Sequence, residues 1–264
     1  MGEKVAIWEI ILLAVIQGIT EFLPISSKTH LLFTQILLHW EDPQQNLTIT
    51  IMLHAGSLLA ILVYYWKTWL SLLKERRAEW IPLILATLPA GAIGILFEKN
   101  IESLFASAAL AGGMLIVTGL WLFLAEKFGK ERHQKVTDVP YWKFLLLGLA
   151  QSAAFFPGIS RSGSTIGAAY FAGLHREEAV RFSFFMGAVL ISGVLLFKVR
   201  DLLFHQGTID PVPIILGILV TFVVSLFAIR VVEVLSKKGW MVFFAAYCVG
   251  AGLLALLYFT LGKV

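Results

Sequence analysis

The chain has 264 residues, 58% of them hydrophobic and only 14% charged, with a formal net charge of +4. A soluble globular chain carries about 25% charged residues, so there are too few here to coat a water-facing surface, and the single cysteine, Cys248, cannot form a disulfide within the chain. Disordered, collagen-like and disulfide-stapled classes are excluded, and the chain is read as an integral membrane protein.

A helix needs about 20 mostly apolar residues to cross a bilayer. The first apolar stretch, 5–38, is too long for one crossing and too short for two, and Pro, Ser and ionisable residues interrupt its middle. It reads as a re-entrant hairpin, a shape allowed at membrane depth only where protein or water satisfies the irregular backbone. Lys4 before an apolar run imitates a signal peptide, but Glu9, Gln17 and Glu21 break the run and no clear small-residue cleavage site follows. The segment is therefore assigned to the mature protein. Spans follow at 47–66, 81–97 and 105–125, with Pro82 suited to an early helical position. A polar segment at 126–142 precedes a second over-long stretch, 144–174, broken around Pro157, and three more spans at 178–199, 212–231 and 240–261. The expected fold is an all-α membrane protein of six transmembrane helices plus two re-entrant helical hairpins.

The chain is also written twice. Gln17-Gly-Ile-Thr-Glu-Phe-Leu-Pro-Ile-Ser-Ser resembles Gln151-Ser-Ala-Ala-Phe-Phe-Pro-Gly-Ile-Ser-Arg, with Pro24 and Pro157 lying 133 residues apart. Ile81-Pro82-Leu-Ile-Leu-Ala resembles Val212-Pro213-Ile-Ile-Leu-Gly at an offset of 131. Two repeats are expected, 1–125 and 143–264, joined by a cytoplasmic linker at 126–142. Each holds one hairpin and three spans, and because three is odd the second repeat enters from the opposite side. Such inverted repeats bring two broken helices together around a mid-membrane site.

The loops around 67–80, 126–143, 176–181 and 230–239 share one face and carry 14 of the 21 Lys and Arg residues. Lys4, Lys99, Lys198, Arg200 and Lys263 fall on the other face. The positive-inside bias places the first face in the cytoplasm and both termini outside. Trp66, Trp69, Trp80 and Trp142 are expected to anchor span ends at the interface.

The residues able to do chemistry lie at the two breaks. Gln17 and Glu21, four apart, share one helix face. Ser26 and Ser27 are good N-cap residues for the outbound half-helix, which would place Ser27 and His30 one turn apart at an anion-attracting N-terminus. The second break holds Ser160, Arg161, Ser162, Ser164 and Thr165 behind Pro157-Gly158. Arginine inside a membrane costs about 2.5–3.5 kcal/mol even on insertion scales, and its donor fork suits phosphate. Glu21, Ser27, His30 and Arg161 are the catalytic candidates, with Ser26, Ser160, Ser162, Ser164 and Thr165 as phosphate ligands. Gln17 and Glu21 are candidate ligands for a magnesium or calcium ion held mainly by substrate phosphates. Ser27 is a nucleophile candidate with His30 or Glu21 taking its proton, and a histidine nucleophile is the main variant. The mixture points to hydrolysis of a phosphate ester or anhydride attached to a lipid.

Other polar residues read as structural. Lys28 pairs with an acid or snorkels, His54 is a hydrogen-bonded packing residue, and Glu9 faces a polar cavity or the interface. His39, His133, His175 and His205 are solvated near loops, Gly163-x-x-x-Gly167 is a helix-packing patch, and Glu177-Glu178 beside Arg176 and Arg181 is a solvated helix end.

At these residues the sequence resembles the bacterial undecaprenyl-diphosphate phosphatase family, the integral-membrane type linked with bacitracin resistance. The family's first signature, (Glu/Gln)-x-x-x-Glu followed by Pro-x-Ser-Ser-x-x-His, is met by Gln17, Glu21, Pro24, Ser26, Ser27 and His30. Its second, Pro-Gly-x-Ser-Arg-Ser-x-x-Thr, is met by Pro157, Gly158, Ser160, Arg161, Ser162 and Thr165. The resemblance implies removal of the terminal phosphate of undecaprenyl diphosphate to regenerate the carrier for cell-wall glycans. It also implies dependence on magnesium or calcium, and a site open to the outer face of the bacterial inner membrane. Glu21 and His30 would do acid/base or nucleophilic work, and Arg161 would clamp the diphosphate. The chain departs from the pattern in having Gln17 where many members have Glu, Lys28-Thr29 before the histidine, and Phe155-Phe156 before Pro157. The partners expected are the polyprenyl diphosphate and the bilayer, with a homodimer allowed and no nucleic acid. The rival reading is a polyprenyl-phosphate flippase built on the same repeats; a non-catalytic carrier-binding protein is the third.

Overall fold

The computed structural model describes residues 6–97, 107–130, 135–204, 211–237 and 239–261, without the side chains of 198–204 and 261. Lys4, Lys99, Arg132, Lys238 and Lys263 of the sidedness argument, and His133 and His205, lie outside the described residues, as do the side chains of Lys198 and Arg200. The described chain is all-helical. Its α-helices are α1 (Ile7–Thr20), α2 (Ser27–Leu37), α3 (Pro43–Tyr64), α4 (Trp66–Lys74), α5 (Trp80–Leu96), α6 (Ala108–Phe128), α7 (Tyr141–Ala153), α8 (Arg161–Ala172), α9 (Arg176–Phe204), α10 (Pro211–Ser236) and α11 (Met241–Leu261).

Six stretches are long and apolar enough to cross a membrane: Pro43–Tyr64, Arg77–Leu96, Ala108–Phe128, Arg176–Phe197, Pro211–Ser236 and Met241–Thr260. They match the six expected spans, with shifts at the ends. The α3 helix starts four residues before the expected 47 because Asp42 caps it, accepting from the amides of Gln44 and Gln45, and Pro43 sits at the first turn. Residues 67–80, expected as a loop, instead hold α4 and a short 3₁₀ turn, pinned by the Arg76–Glu79 ion pair. Of the four tryptophans expected at the interface, Trp66 and Trp142 are exposed, whereas Trp69 packs on Phe185 and Trp80 donates to the Leu72 carbonyl.

Both over-long stretches break where the sequence places Pro and Ser. The first halts at Thr20 and restarts at Ser27; the second halts at Ala153 and restarts at Arg161. Each folds back on itself. The ends of the second meet, Lys143 donating to the carbonyl of Ala172 at 2.9 Å, and Ile10 of α1 shares an apolar cluster with Leu31 of α2 and Trp40 beyond it.

Packing crosses between the halves of the chain. α1 lies on α10 and α7 lies on α5; α3 packs against α10 and α9 against α5; α6 pairs with α11. At one end of the bundle, Tyr64 and Tyr65 both donate to Glu233, Arg176 pairs with Glu126, and Lys237 pairs with Glu177. Arg176 thus ties α9 to α6, and Glu178 is bridged to Arg181, so this end is more than the solvated charge expected. The Gly163/Gly167 patch does pack closely, against Trp121, whose indole donates to the Gly163 carbonyl at 3.2 Å.

Candidate active site

The two breaks meet in the middle of the bundle, each donating a serine hydroxyl to the other. Ser162 Oγ donates to the carbonyl of Leu23 at 3.0 Å, and Ser26 Oγ makes a long bond of 3.5 Å to that of Ile159. The second break turns at Gly158, whose φ of +97° is a left-handed conformation and whose absent Cβ would sit 2.3 Å from the Ala111 carbonyl. Thr118 of α6 fastens this turn, donating to the Gly158 carbonyl and accepting from the Ser160 amide.

Where the chains cross, Glu21 is the hub. Its Oε1 accepts from Arg161 Nη2 at 2.7 Å, joining the two halves of the molecule through one ion pair. Its Oε2 accepts from Ser27 Oγ at 2.6 Å and from Gln17 Nε2 at 3.1 Å, and lies 3.4 Å from Nε2 of His54. Glu21 and Ser27 are buried, and the carboxylate is offset there by an ion pair and hydrogen bonds on both of its oxygens. Lys28 lies close enough to feel the charges of both Glu21 and Arg161, with its ammonium 5.8 Å from the centre of the Phe155 ring. Two cations around one carboxylate leave this place electropositive.

The guanidinium of Arg161 reaches Glu21 across a gap in α9. It also donates to the Ser183 carbonyl at 3.2 Å, and it fits only because Gly187 has no side chain: a Cβ there would meet Nη1 at 2.2 Å. The serines that precede the two outbound helices behave differently. Ser160 caps α8, accepting from the Gly163 amide at 3.1 Å. Ser26 occupies the capping position of α2 but makes no capping bond. Its φ is +68°, a conformation that costs a non-glycine residue about 1–3 kcal/mol and recurs at functional sites. It is held by Thr29, 2.9 Å away hydroxyl to hydroxyl, and by His30 on its carbonyl. The first amides of α2 are therefore left without a capping side chain beside Ser27, a ready anion site.

Among the remaining candidates, Ser162 is spent on Leu23, and Thr165 donates to the Arg161 carbonyl and lies 2.6 Å from the Ser183 hydroxyl. Ser164 is buried one turn on from Arg161. His30 does not join the Glu21 cluster. Its Nδ1 lies 2.8 Å from the Ser26 carbonyl, which can only accept, so in the neutral ring Nε2 accepts from the Tyr247 hydroxyl at 2.7 Å. Gln17 is half satisfied: Nε2 reaches Glu21 and Ser57, while Oε1 is buried with no hydrogen-bond partner. Among the described residues no group of three or more His, Cys, Asp and Glu side chains could hold a metal ion.

Sequence reasoning missed His54, Tyr247 and Gly187. His54, set aside as a packing residue, is tied by Nδ1 to the Thr50 carbonyl and turns Nε2 to Glu21. An ionisable residue in the middle of an apolar span was the available signal. Nothing in the sequence around Tyr247 or Gly187 distinguishes them.

Comparison with known proteins gives a consistent result. A family model described as bacitracin resistance protein BacA matches residues 10–254. An undecaprenyl-diphosphatase of Moorella thermoacetica is 36% identical over 246 residues, covering 90% of this chain and 92% of that protein. One from Halothermothrix orenii is 37% identical over 256 residues, covering 95% and 97%. An undecaprenyl-diphosphatase 2 of Halalkalibacterium halodurans is 34% identical over 272 residues, covering 96% of each chain.

Proposed function

The chain belongs to the bacitracin resistance protein BacA family, and from that premise we propose how its site works. It is a membrane phosphatase that hydrolyses undecaprenyl diphosphate to undecaprenyl phosphate and inorganic phosphate. The observation that carries the site assignment is the 2.6 Å bond from Ser27 to a carboxylate whose other oxygen is clamped by Arg161. A flippase would need groups that bind phosphate but no nucleophile, so this pairing favours the enzyme.

Ser27 Oγ attacks the terminal phosphorus as Glu21 Oε2 takes its proton. The bond from that phosphorus to the bridging oxygen breaks, and undecaprenyl phosphate leaves with the bond's electrons. Arg161, Lys28 and the uncapped amides of α2 stabilise the charge that develops on the phosphoryl oxygens. Water then attacks the phosphoserine and the bond from phosphorus to Ser27 Oγ breaks; Glu21 returns its proton to that oxygen, and phosphate departs carrying both of the water's protons as dihydrogen phosphate. His54 and Gln17 hold the Glu21 carboxylate in place, and His30 braces the strained Ser26 turn. Gln17 Oε1, buried without a partner beside Glu21, fits a divalent cation, magnesium or calcium. Gln17 and Glu21 would hold that ion together with substrate phosphates, and it would neutralise diphosphate charge.

The same proposal covers architecture. The two folded-back units are re-entrant hairpins of an inverted repeat, 1–125 and 143–264, around the linker at 126–142. The reciprocal packing of α1 on α10 and α7 on α5 supports this. So do the Arg176–Glu126 and Lys237–Glu177 ion pairs and the Tyr64–Glu233 hydrogen bond, which join helix ends that the inverted topology assigns to one face. The protein then sits in the bacterial inner membrane with both termini outside and its site facing outward. The assignment is tested by phosphate release from undecaprenyl diphosphate by purified protein in detergent. Ser27→Ala, which removes only a hydroxyl, should lower kcat by roughly 10³-fold or more, and a chelator should lower wild-type turnover. Undiminished Ser27→Ala activity would overturn the site.

A further inference from the structure

The α3 span ends at Tyr64, and α4 starts at Trp66 after a break at Tyr65. A span of 22 residues is about 33 Å long and uses up a hydrocarbon thickness of about 30 Å, so the residues after it lie at headgroup level. α4 is held there from one side. Leu72 is buried and its carbonyl accepts from the Trp80 indole at 3.0 Å, while Trp69 lies on Phe185 with ring centres 4.5 Å apart.

The opposite side of α4 is open. Trp66, Leu70 and Leu73 are 54%, 48% and 58% exposed, and at about 100° per residue they fall within an arc of about 60°. Lys67 and Lys74, both exposed, flank this stripe along one edge, and Lys67 Nζ stands 5.6 Å from the centre of the Trp66 ring. Arg77, three residues past Lys74, is exposed too, with its Nε donating to the Leu73 carbonyl at 2.8 Å. The nearby acids do not answer these cations. Glu79 is clamped by Arg76 through both oxygens, at 2.6 and 2.7 Å, and Glu75 falls on the far side of the helix from the stripe. Among the described residues Lys67, Lys74 and Arg77 form no ion pair. An exposed stripe of tryptophan and leucine edged by such cations is the pattern of a helix lying in the headgroup zone.

We propose that the outer face of α4, Trp66, Leu70 and Leu73 with Lys67, Lys74 and Arg77, is a docking surface for the anionic headgroups of membrane phospholipids. The stripe enters the acyl boundary and the cations stay level with the phosphates. A zwitterionic headgroup brings its own cation, so the surface selects lipids of net negative charge. It lies apart from the catalytic cluster: among the described residues none of the six bonds to Glu21, Ser27 or Arg161.

Native mass spectrometry of the full chain, released from nanodiscs of mixed phosphatidylcholine and phosphatidylglycerol, counts the lipid that stays bound. Wild type should retain phosphatidylglycerol in preference to phosphatidylcholine. Lys67→Gln/Lys74→Gln/Arg77→Gln should lower that preference roughly fivefold for each cation removed. Lys127→Gln/Lys130→Gln/Lys135→Gln, an equal change of charge at the end of α6 and in the peptide after it, should largely keep it. No preference in wild type, or an equal loss in the two variants, overturns the surface. A nitroxide on Leu70→Cys in a Cys248→Ser background, with all three cations kept, reads depth by paramagnetic relaxation. It should report the boundary between headgroups and acyl chains; a label open to water, or shielded by a second copy of the chain, overturns the surface as well.

Discussion

At Gly187 a single hydrogen leaves room for the Arg161 guanidinium, and the position decides more than its identity suggests. Adding one methyl group 2.2 Å from Nη1 forces the arginine off Glu21 without replacing any charged residue. Gly187→Ala should therefore behave like Arg161→Ala, with kcat/KM falling roughly 10²–10³-fold, as for loss of one donor to a developing oxyanion. Gly193→Ala, on the same helix with nothing near its Cβ, should be silent in the same phosphate-release assay. Glu21, Ser27 and Arg161 were legible in the sequence because each is an ionisable or hydroxyl residue at a proline-marked break in an apolar run. Gly187 was not, since a glycine in an apolar span has many uses and only the arrival of a side chain from another helix assigns this one. His54 was visible but misweighed: its partner is 33 residues away, and a span read alone does not say which neighbour its polar face meets. His30 was read from its one-turn spacing to Ser27, but spacing sets a shared face and not a shared bond. The ring turned to Ser26 and Tyr247 instead.

Among the elements, the two outbound half-helices begin in different ways, and their stabilities should differ accordingly. α8 starts behind a true cap, so Ser160→Ala should cost about 0.5–2 kcal/mol, read as a lower unfolding midpoint in detergent. Gly158→Ala should cost more than that, because a Cβ there meets both a left-handed φ of +97° and the Ala111 carbonyl. A midpoint for Gly158→Ala at or above that of Ser160→Ala would contradict this account of the turn. The six spans were legible from run length alone, and their ends were off where a cap intervened, as at Asp42. The helix α4 was hidden because its charged residues masked a short amphipathic turn between Trp66 and Leu73.

Over the whole molecule, Pro24 and Pro157 marked where the two over-long stretches break, but nothing in the sequence said that α1 would lie on α10 and α7 on α5. The proposed sidedness rests on the Lys/Arg bias between the two faces and is directly measurable. In a Cys248→Ser background, a cysteine at Lys74 should react with a membrane-impermeant thiol reagent only after the cells are opened, and one at His39 should react in intact cells. The opposite result would reverse the topology.

Glu21 and Arg161 are 140 residues apart, and every other bond between the two breaks, Ser162 to Leu23 and Ser26 to Ile159, is likewise non-covalent. Among the described residues of the peptide between α6 and α7, none contributes a group to that junction. Translated as two separate polypeptides divided there, the protein should still assemble: each fragment inert by itself, the pair restoring phosphate release when synthesised in the same cell. The active site would then be the heterodimer interface of a split enzyme, and charge-swapping Glu21 with Arg161 on opposite fragments would reveal whether assembly needs the ion pair or merely tolerates it.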